Sequence, residues 1–149
     1  MSALAGNREF REDPRRRYIP FVLWAGLWQP DADRAVAHAR HASGRDVDAE
    51  LYRLAMDNVR RAHEAGVRIV AGTDAGDTYV FPGFAIHDEL AELVRAGLAP
   101  TDALRSATID AARFSGKARE YGSIEVGKVA DMILLDANPL TDIRSTERI

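Results

Sequence analysis

Between Asp46 and Gly66 the apolar positions Val47, Leu51, Leu54, Ala55, Val59 and Ala62 recur at helical spacing, which predicts one amphipathic helix. Asp46 and Asp48 suit its N-terminal dipole, and Gly66 suits a left-handed C-terminal cap. Residues 67–71 (Val-Arg-Ile-Val-Ala) are short and rich in β-branched side chains, so a strand is expected there. A second helix is expected from about Asp88 to Ala96, closed by Gly97. A third starts at Pro100, with Leu104, Ala107, Ala111 and Phe114 on its apolar face and Gly116 at its end. Upstream, the apolar run 19–24 behind Tyr18 reads as a short buried strand, which Pro30 and the mixed stretch to Gly44 interrupt. Downstream, Gly122-Ser123-Ile124 and a turn at Glu125-Val126-Gly127-Lys128 lead into the nearly continuous apolar run 130–135, read as a strand, and Asn138-Pro139 marks a turn.

Strand, helix, strand, helices is the rhythm of a parallel α/β architecture, with the last strands as a separate antiparallel layer. The expected organisation is a polar segment over 1–17, an α/β portion over 18–117 and a β segment over 118–149.

Composition narrows the function classes. The 149 residues suffice for one core, and a net charge of −3 gives no electrostatic reason for nucleic acid or a membrane surface as partner. Arg15-Arg16-Arg17, set among Glu12 and Asp13, reads as a solvated surface run. With no cysteine, disulfides, thiolate nucleophiles and Cys-based metal centres are excluded. The N-terminus is too polar for a signal peptide and the run 19–27 too short to span a bilayer, so a cytoplasmic protein is the default expectation.

The candidate chemistry lies in Gly72-Thr73-Asp74-Ala75-Gly76. In parallel α/β folds ligands bind where strands end, and flanking glycines permit close backbone approach. A carboxylate there can bind a divalent cation or exchange a proton with bound water. Asp beside Gly is also a common turn residue that bonds its own backbone, and both readings of Asp74 stand. Asp77 reads as a loop residue. His87, ahead of the second helix, either lines a pocket or merely enters the helix. His38 and His41 share a helix face but lack a third ligand, and with His63 they read as surface residues.

The blocks Gly72 to Gly76, Phe81-Pro82-Gly83-Phe84-Ala85-Ile86-His87-Asp88-Glu89-Leu90, Ala96-Gly97-Leu98-Ala99-Pro100, and Tyr121-Gly122-Ser123-Ile124-Glu125-Val126-Gly127-Lys128-Val129-Ala130-Asp131 onward to Asn138-Pro139-Leu140 resemble the C-terminal part of the metal-dependent amidohydrolases, in the imidazolonepropionase-like and prolidase-like branch. The resemblance covers about 46–143. It implies an α/β fold: the C-terminal part of a (β/α)8 TIM-type barrel, with 19–24 as the seventh strand and 67–71 as the eighth, plus the C-terminal strands of a small β-sandwich. It implies metal-assisted hydrolysis of a C–N bond in a small amide, cyclic amide or dipeptide-like substrate. The cofactor is a divalent metal, usually zinc, with Asp74 as both metal ligand and general acid/base. Thr73 shapes the strand end, and Tyr79, Phe81 and His87 are candidate substrate-binding residues.

The departures from the family pattern are equally specific. Its His-x-His pair, its bridging lysine or glutamate and its two further histidines have no counterpart in this sequence, and Ala99 stands where a helix-capping threonine is common. A whole barrel takes about 250 residues. The expectation is therefore a hydrolase portion whose metal site this chain does not complete. The alternative is a catalytically inactive truncated fragment, or one chain of a split enzyme needing a partner to supply the missing ligands. Self-association, or pairing with a complementary chain, is expected of the apolar surface this leaves.

Overall fold

The structure is a computed structural model that describes residues 12–41 and 47–148; the side chains of residues 35, 36, 38–41 and 47–49 lie outside the described set. The described chain is helical, with no strand among its described residues. A 3-10 turn (Pro14–Tyr18) precedes α1 (Phe21–Leu23), a π-helical stretch (Trp24–Trp28) and α2 (Gln29–His41), which run on from one another. Then come α3 (Val47–Glu64), α4 (Ala85–Arg95), α5 (Pro100–Ser106), α6 (Ile109–Phe114) and a 3-10 turn at Ile143–Glu147. Among the described residues no helix is long and apolar enough to cross a membrane. The chain divides into two compact units, one of 1–54 with 74–83, the other of 55–73 with 84–149.

The first unit is organised by aromatic rings. Pro20 is extended (φ −54°, ψ 137°) and releases the chain into α1. The Gln29 N–H then reaches back to the Trp24 carbonyl, the five-residue step of a π-helix. Trp24 and Trp28 thereby share a face, their ring centroids 6.2 Å apart. Tyr79 and Phe81 complete the cluster, 6.0 Å and 5.3 Å from Trp28, all edge to face as ring quadrupoles prefer. Trp28 is fully buried. The expected strand at 19–24 is thus a helix. A short apolar run does not distinguish a buried strand from a helix, and Phe21 and Val22 are about four-fifths exposed, which a buried strand would not allow. The arginine run is also not simply solvated. Asp13 accepts from the Arg15 backbone N–H at 2.8 Å, while the Arg15 guanidinium lies 4.7 Å from the Phe81 ring centre and that of Arg16 5.0 Å from Trp24.

The second unit has an aliphatic core of Leu90, Ala91, Leu93, Leu98, Ala103 and Ile143, with Val59, Ile69 and Ala71 packed against it. Helix α4 ends as its glycine predicts. Gly97 takes φ 111°, its N–H donates to the Val94 carbonyl at 3.0 Å, and the Leu98 N–H donates to the Leu93 carbonyl at 3.1 Å. Leu93 and Leu98 are both buried, the apolar contact that accompanies such caps. The helix expected from Pro100 to Phe114 is broken at Ala107 and Thr108. Ala99 at the head of α5 offers no side-chain cap. The Asn138 turn is present, with its side-chain oxygen accepting from the Leu140 N–H at 2.9 Å.

The α/β expectation fails in this unit too. Residues 67–71 carry no regular secondary structure; Ile69 and Ala71 are half-buried, Val67, Arg68 and Val70 are exposed, and no ladder forms. Residues 130–135 likewise carry no regular secondary structure. A strand is defined by its neighbour: β-branched side chains favour extended backbone, yet the sheet exists only where a second segment exchanges hydrogen bonds. Neither the barrel strands nor the sandwich strands are present among the described residues, so the fold class inferred from the sequence is corrected to helical.

The run 130–135 leaves Met132 and Ile133 about 62% and Leu134 about 89% exposed. Contiguous apolar side chains on unpaired backbone favour association. The chain is expected to self-associate with rising concentration in sedimentation velocity, and Ile133→Lys with Leu134→Lys to shift it toward monomer. A monodisperse monomer in the unsubstituted chain would refute this.

Candidate functional site

The loop 74–83 carries the candidate carboxylate. Trp28 fixes it from beneath, its indole Nε1–H donating to the Gly76 carbonyl at 3.0 Å. Thr78 is buried and its hydroxyl donates to the Asp31 carboxylate at 3.1 Å. Within the loop, the Gly76 N–H donates to the Val80 carbonyl (3.1 Å) and the Asp77 N–H to the Asp74 carbonyl (3.2 Å).

The two aspartates behave differently. Asp77 accepts from the Thr78 N–H at 2.7 Å, the local bond that makes Asp a turn residue. The Asp74 carboxylate has no hydrogen bond or ion pair to a described residue, and the side chain is exposed. Its backbone is left-handed at φ 50°. Only Tyr79, at φ 63°, shares that conformation among the described non-glycine residues. Non-glycine residues held there are uncommon and cluster at functional sites. The turn-forming role thus falls to Asp77, and Asp74 is left presenting an unengaged carboxylate.

Tyr79 and Phe81 are 5% and 1% exposed, so they face the tryptophans beneath the loop. Thr73 is half-buried at the end of the 55–73 segment of the second unit. His87, in the first turn of α4, has a buried Nδ1 with no hydrogen-bond partner among the described residues. His63 is not a solitary surface residue: its Nε2 lies 3.4 Å from the Asp102 carboxylate. The side chains of His38 and His41 lie outside the described set.

Glu89 is the residue the sequence did not reveal. From α4 its carboxylate accepts from the Gly72 N–H at 3.4 Å, a long bond to the end of the 67–71 segment. Burial raises its pKa above the ordinary 4.5, opposed by the Gly72 hydrogen bond and assisted by the nearby Glu92 charge. Nothing in Asp88-Glu89-Leu90 marks the middle residue, since its partner lies seventeen positions away.

As a metal centre the arrangement is incomplete. No group of three or more His, Cys, Asp or Glu side chains able to hold an ion occurs among the described residues, whereas a zinc site takes about three or four protein ligands.

The comparisons with known proteins agree with the motif blocks. The model of the amidohydrolase family matches residues 33–148. The chain belongs to the amidohydrolase family. This amidohydrolase-family chain is 37% identical over 89 residues to a probable imidazolonepropionase of Nematostella vectensis, covering 60% of this chain and 20% of that protein. Against the imidazolonepropionase of Shouchella clausii it is 35% identical over 85 residues, 54% of this chain and 18% of the other. It therefore spans about a fifth of these relatives. Among solved structures it is similar to a Xaa-Pro dipeptidase with bound methionine in its active site, at 38% identity and a TM-score of 0.58 over 62% of this chain and 22% of that one. A Bifidobacterium longum protein assigned as a prolidase gives 48% identity and the same TM-score, over 62% and 23% of the two chains.

Two outcomes test this geometry. Asp74→Gly removes the left-handed penalty and is expected to raise stability by about 0.5–1 kcal/mol, whereas Asp74→Val lowers it by at least as much; urea denaturation followed by circular dichroism reads both. For Glu89, a carboxyl with a raised folded-state pKa favours the native state below its unfolded value and loses that advantage as pH climbs through the folded one. The stability of Glu89→Gln relative to the unsubstituted chain should therefore rise as pH increases from about 4 to about 7. A pH-independent difference would refute the burial-driven shift.

Proposed function

We propose that this chain supplies the acid/base carboxylate of a hydrolase that cleaves a C–N bond in a small amide, cyclic amide or dipeptide-like substrate. The observation that carries the reading is the unengaged, left-handed Asp74 within the family-matched segment. The family typically works with a metal, and the names of the similar proteins, imidazolonepropionase and Xaa-Pro dipeptidase, support this substrate class.

Asp74 takes a proton from the attacking water as the water oxygen bonds the carbonyl carbon. It delivers that proton to the nitrogen as the C–N bond breaks, so the leaving group departs as a neutral amine. It is also proposed as one metal ligand. The described residues do not form a full ligand set for it. Tyr79 and Phe81 act as the aromatic floor that fixes the loop bearing the carboxylate. His87 is proposed as a substrate-binding residue on the family resemblance alone, since its Nδ1 is buried.

The incomplete ligand set favours a second element of the same reading: the isolated chain is inactive and binds zinc weakly, and activity needs a complementary polypeptide carrying the missing ligands. Mixing the chain and zinc with the N-terminal portion of an imidazolonepropionase-like relative is expected to yield amide turnover. Asp74→Asn should reduce that turnover by about 10²–10⁴-fold. Turnover indifferent to Asp74→Asn would defeat the assignment. Stoichiometric zinc retained by the isolated chain through dialysis would defeat the need for a partner.

A further inference from the structure

In the second unit a cavity of about 240 Å³ opens between the start of the 67–71 segment and helices α5 and α6. It uses none of the residues of the 74–83 loop. Three arginines, Arg68, Arg105 and Arg113, line it together with Asp102 and Asp110.

These charges are unevenly satisfied. Asp110 serves two arginines, Arg113 at 2.7 Å and Arg105 at 3.6 Å, while Asp102 is turned to His63 at 3.4 Å. Arg68 has no ion pair or hydrogen bond to a described residue. The wall therefore carries one cation in excess, in a chain whose net charge is −3.

The backbone adds a second, independent observation. The N–H groups of Val67 and Ala71 are bonded, to the Ala62 carbonyl at 2.9 Å and the Ser106 carbonyl at 3.2 Å. Those of Arg68, Ile69 and Val70 between them donate to no described residue. Arg68 and Val70 are exposed, so these donors are open to solvent or to a solvent-borne ligand. Arg68 and Ile69 line the cavity, so an arginine without an ion pair and a backbone N–H beside it suit a ligand made of acceptors. A carboxylate offers two oxygens; a phosphate offers more, enough to meet the Arg68 fork, a second arginine and a backbone N–H together.

We propose that this cavity binds a phosphate group, free or carried by a small molecule, with Arg68 as its principal anchor and Arg105 as the second. The guanidinium of Arg113 stays with Asp110 and holds the wall in place. Such binding weakens with added salt, since the cations are partly solvent-exposed.

The test titrates inorganic phosphate into the full chain at low ionic strength, with chloride-matched controls, and follows amide ¹⁵N shifts. Saturable shifts are expected over 63–70 and 102–113. Arg68→Ala should weaken the dissociation constant about tenfold, Arg68→Lys less, and Arg119→Ala not at all. Glycerol 3-phosphate in place of phosphate separates the two sources: tighter binding indicates a carried group, weaker binding the free ion, and either supports the site. Non-saturating shifts, or equal affinity in Arg68→Ala and the unsubstituted chain, would overturn it. Unchanged circular dichroism shows that the exposed Arg68 substitutions leave the fold intact.

Discussion

The hydrogen bond from the Trp28 indole to the Gly76 carbonyl is the constraint on which the candidate site depends. A buried indole N–H must find an acceptor, because leaving it unpaired costs about 1–3 kcal/mol. Gly76 meets that demand in the middle of the loop, and the rings of Tyr79 and Phe81 seal it from the side. The left-handed backbone at Asp74 and Tyr79 is tolerated because this packing over-determines the loop between them. The carboxylate is thus held out by aromatic burial five and seven residues further along the chain, without support from its own side chain.

The second unit rests on a different balance. Leucine and alanine side chains from α4 and α5 close over Ile143, and the Leu93–Leu98 contact locks the end of α4. This core holds one face of 67–71 and leaves the backbone donors of 68–70 open to solvent. Packing alone orders the segment in part. The polar groups of that backbone remain an open demand, which an ionic ligand or another chain can meet.

What the sequence made legible was local. Gly66 and Gly97 follow periodic apolar runs, so both caps were readable, as was the Asn138 turn, whose side chain bonds two residues on. The Gly72–Gly76 motif pointed to Asp74 and Asp77 read as a loop residue, and the geometry adds that Asp77 bonds its own turn. What stayed hidden was non-local. The run 19–24 read as a strand because Trp28, one helical turn beyond Trp24, was left out of the pattern; including it gives a helical spacing. The β-branched residues of 67–71 and 130–135 suggested strands that the structure does not contain, because pairing depends on a second segment that composition cannot specify. Glu89 carries no signature because its partner is the backbone of a distant glycine.

One consequence follows from the aromatic cluster. The chain has two tryptophans, Trp24 and Trp28, and both sit beneath the Asp74 loop. Indole emission is therefore a private spectroscopic channel for the first unit, blind to the aliphatic core around Leu90 and Ile143. Unfolding curves from fluorescence and from circular dichroism will coincide only if the two units melt together. The molecule thus carries a built-in optical reporter of whether its candidate site is ordered.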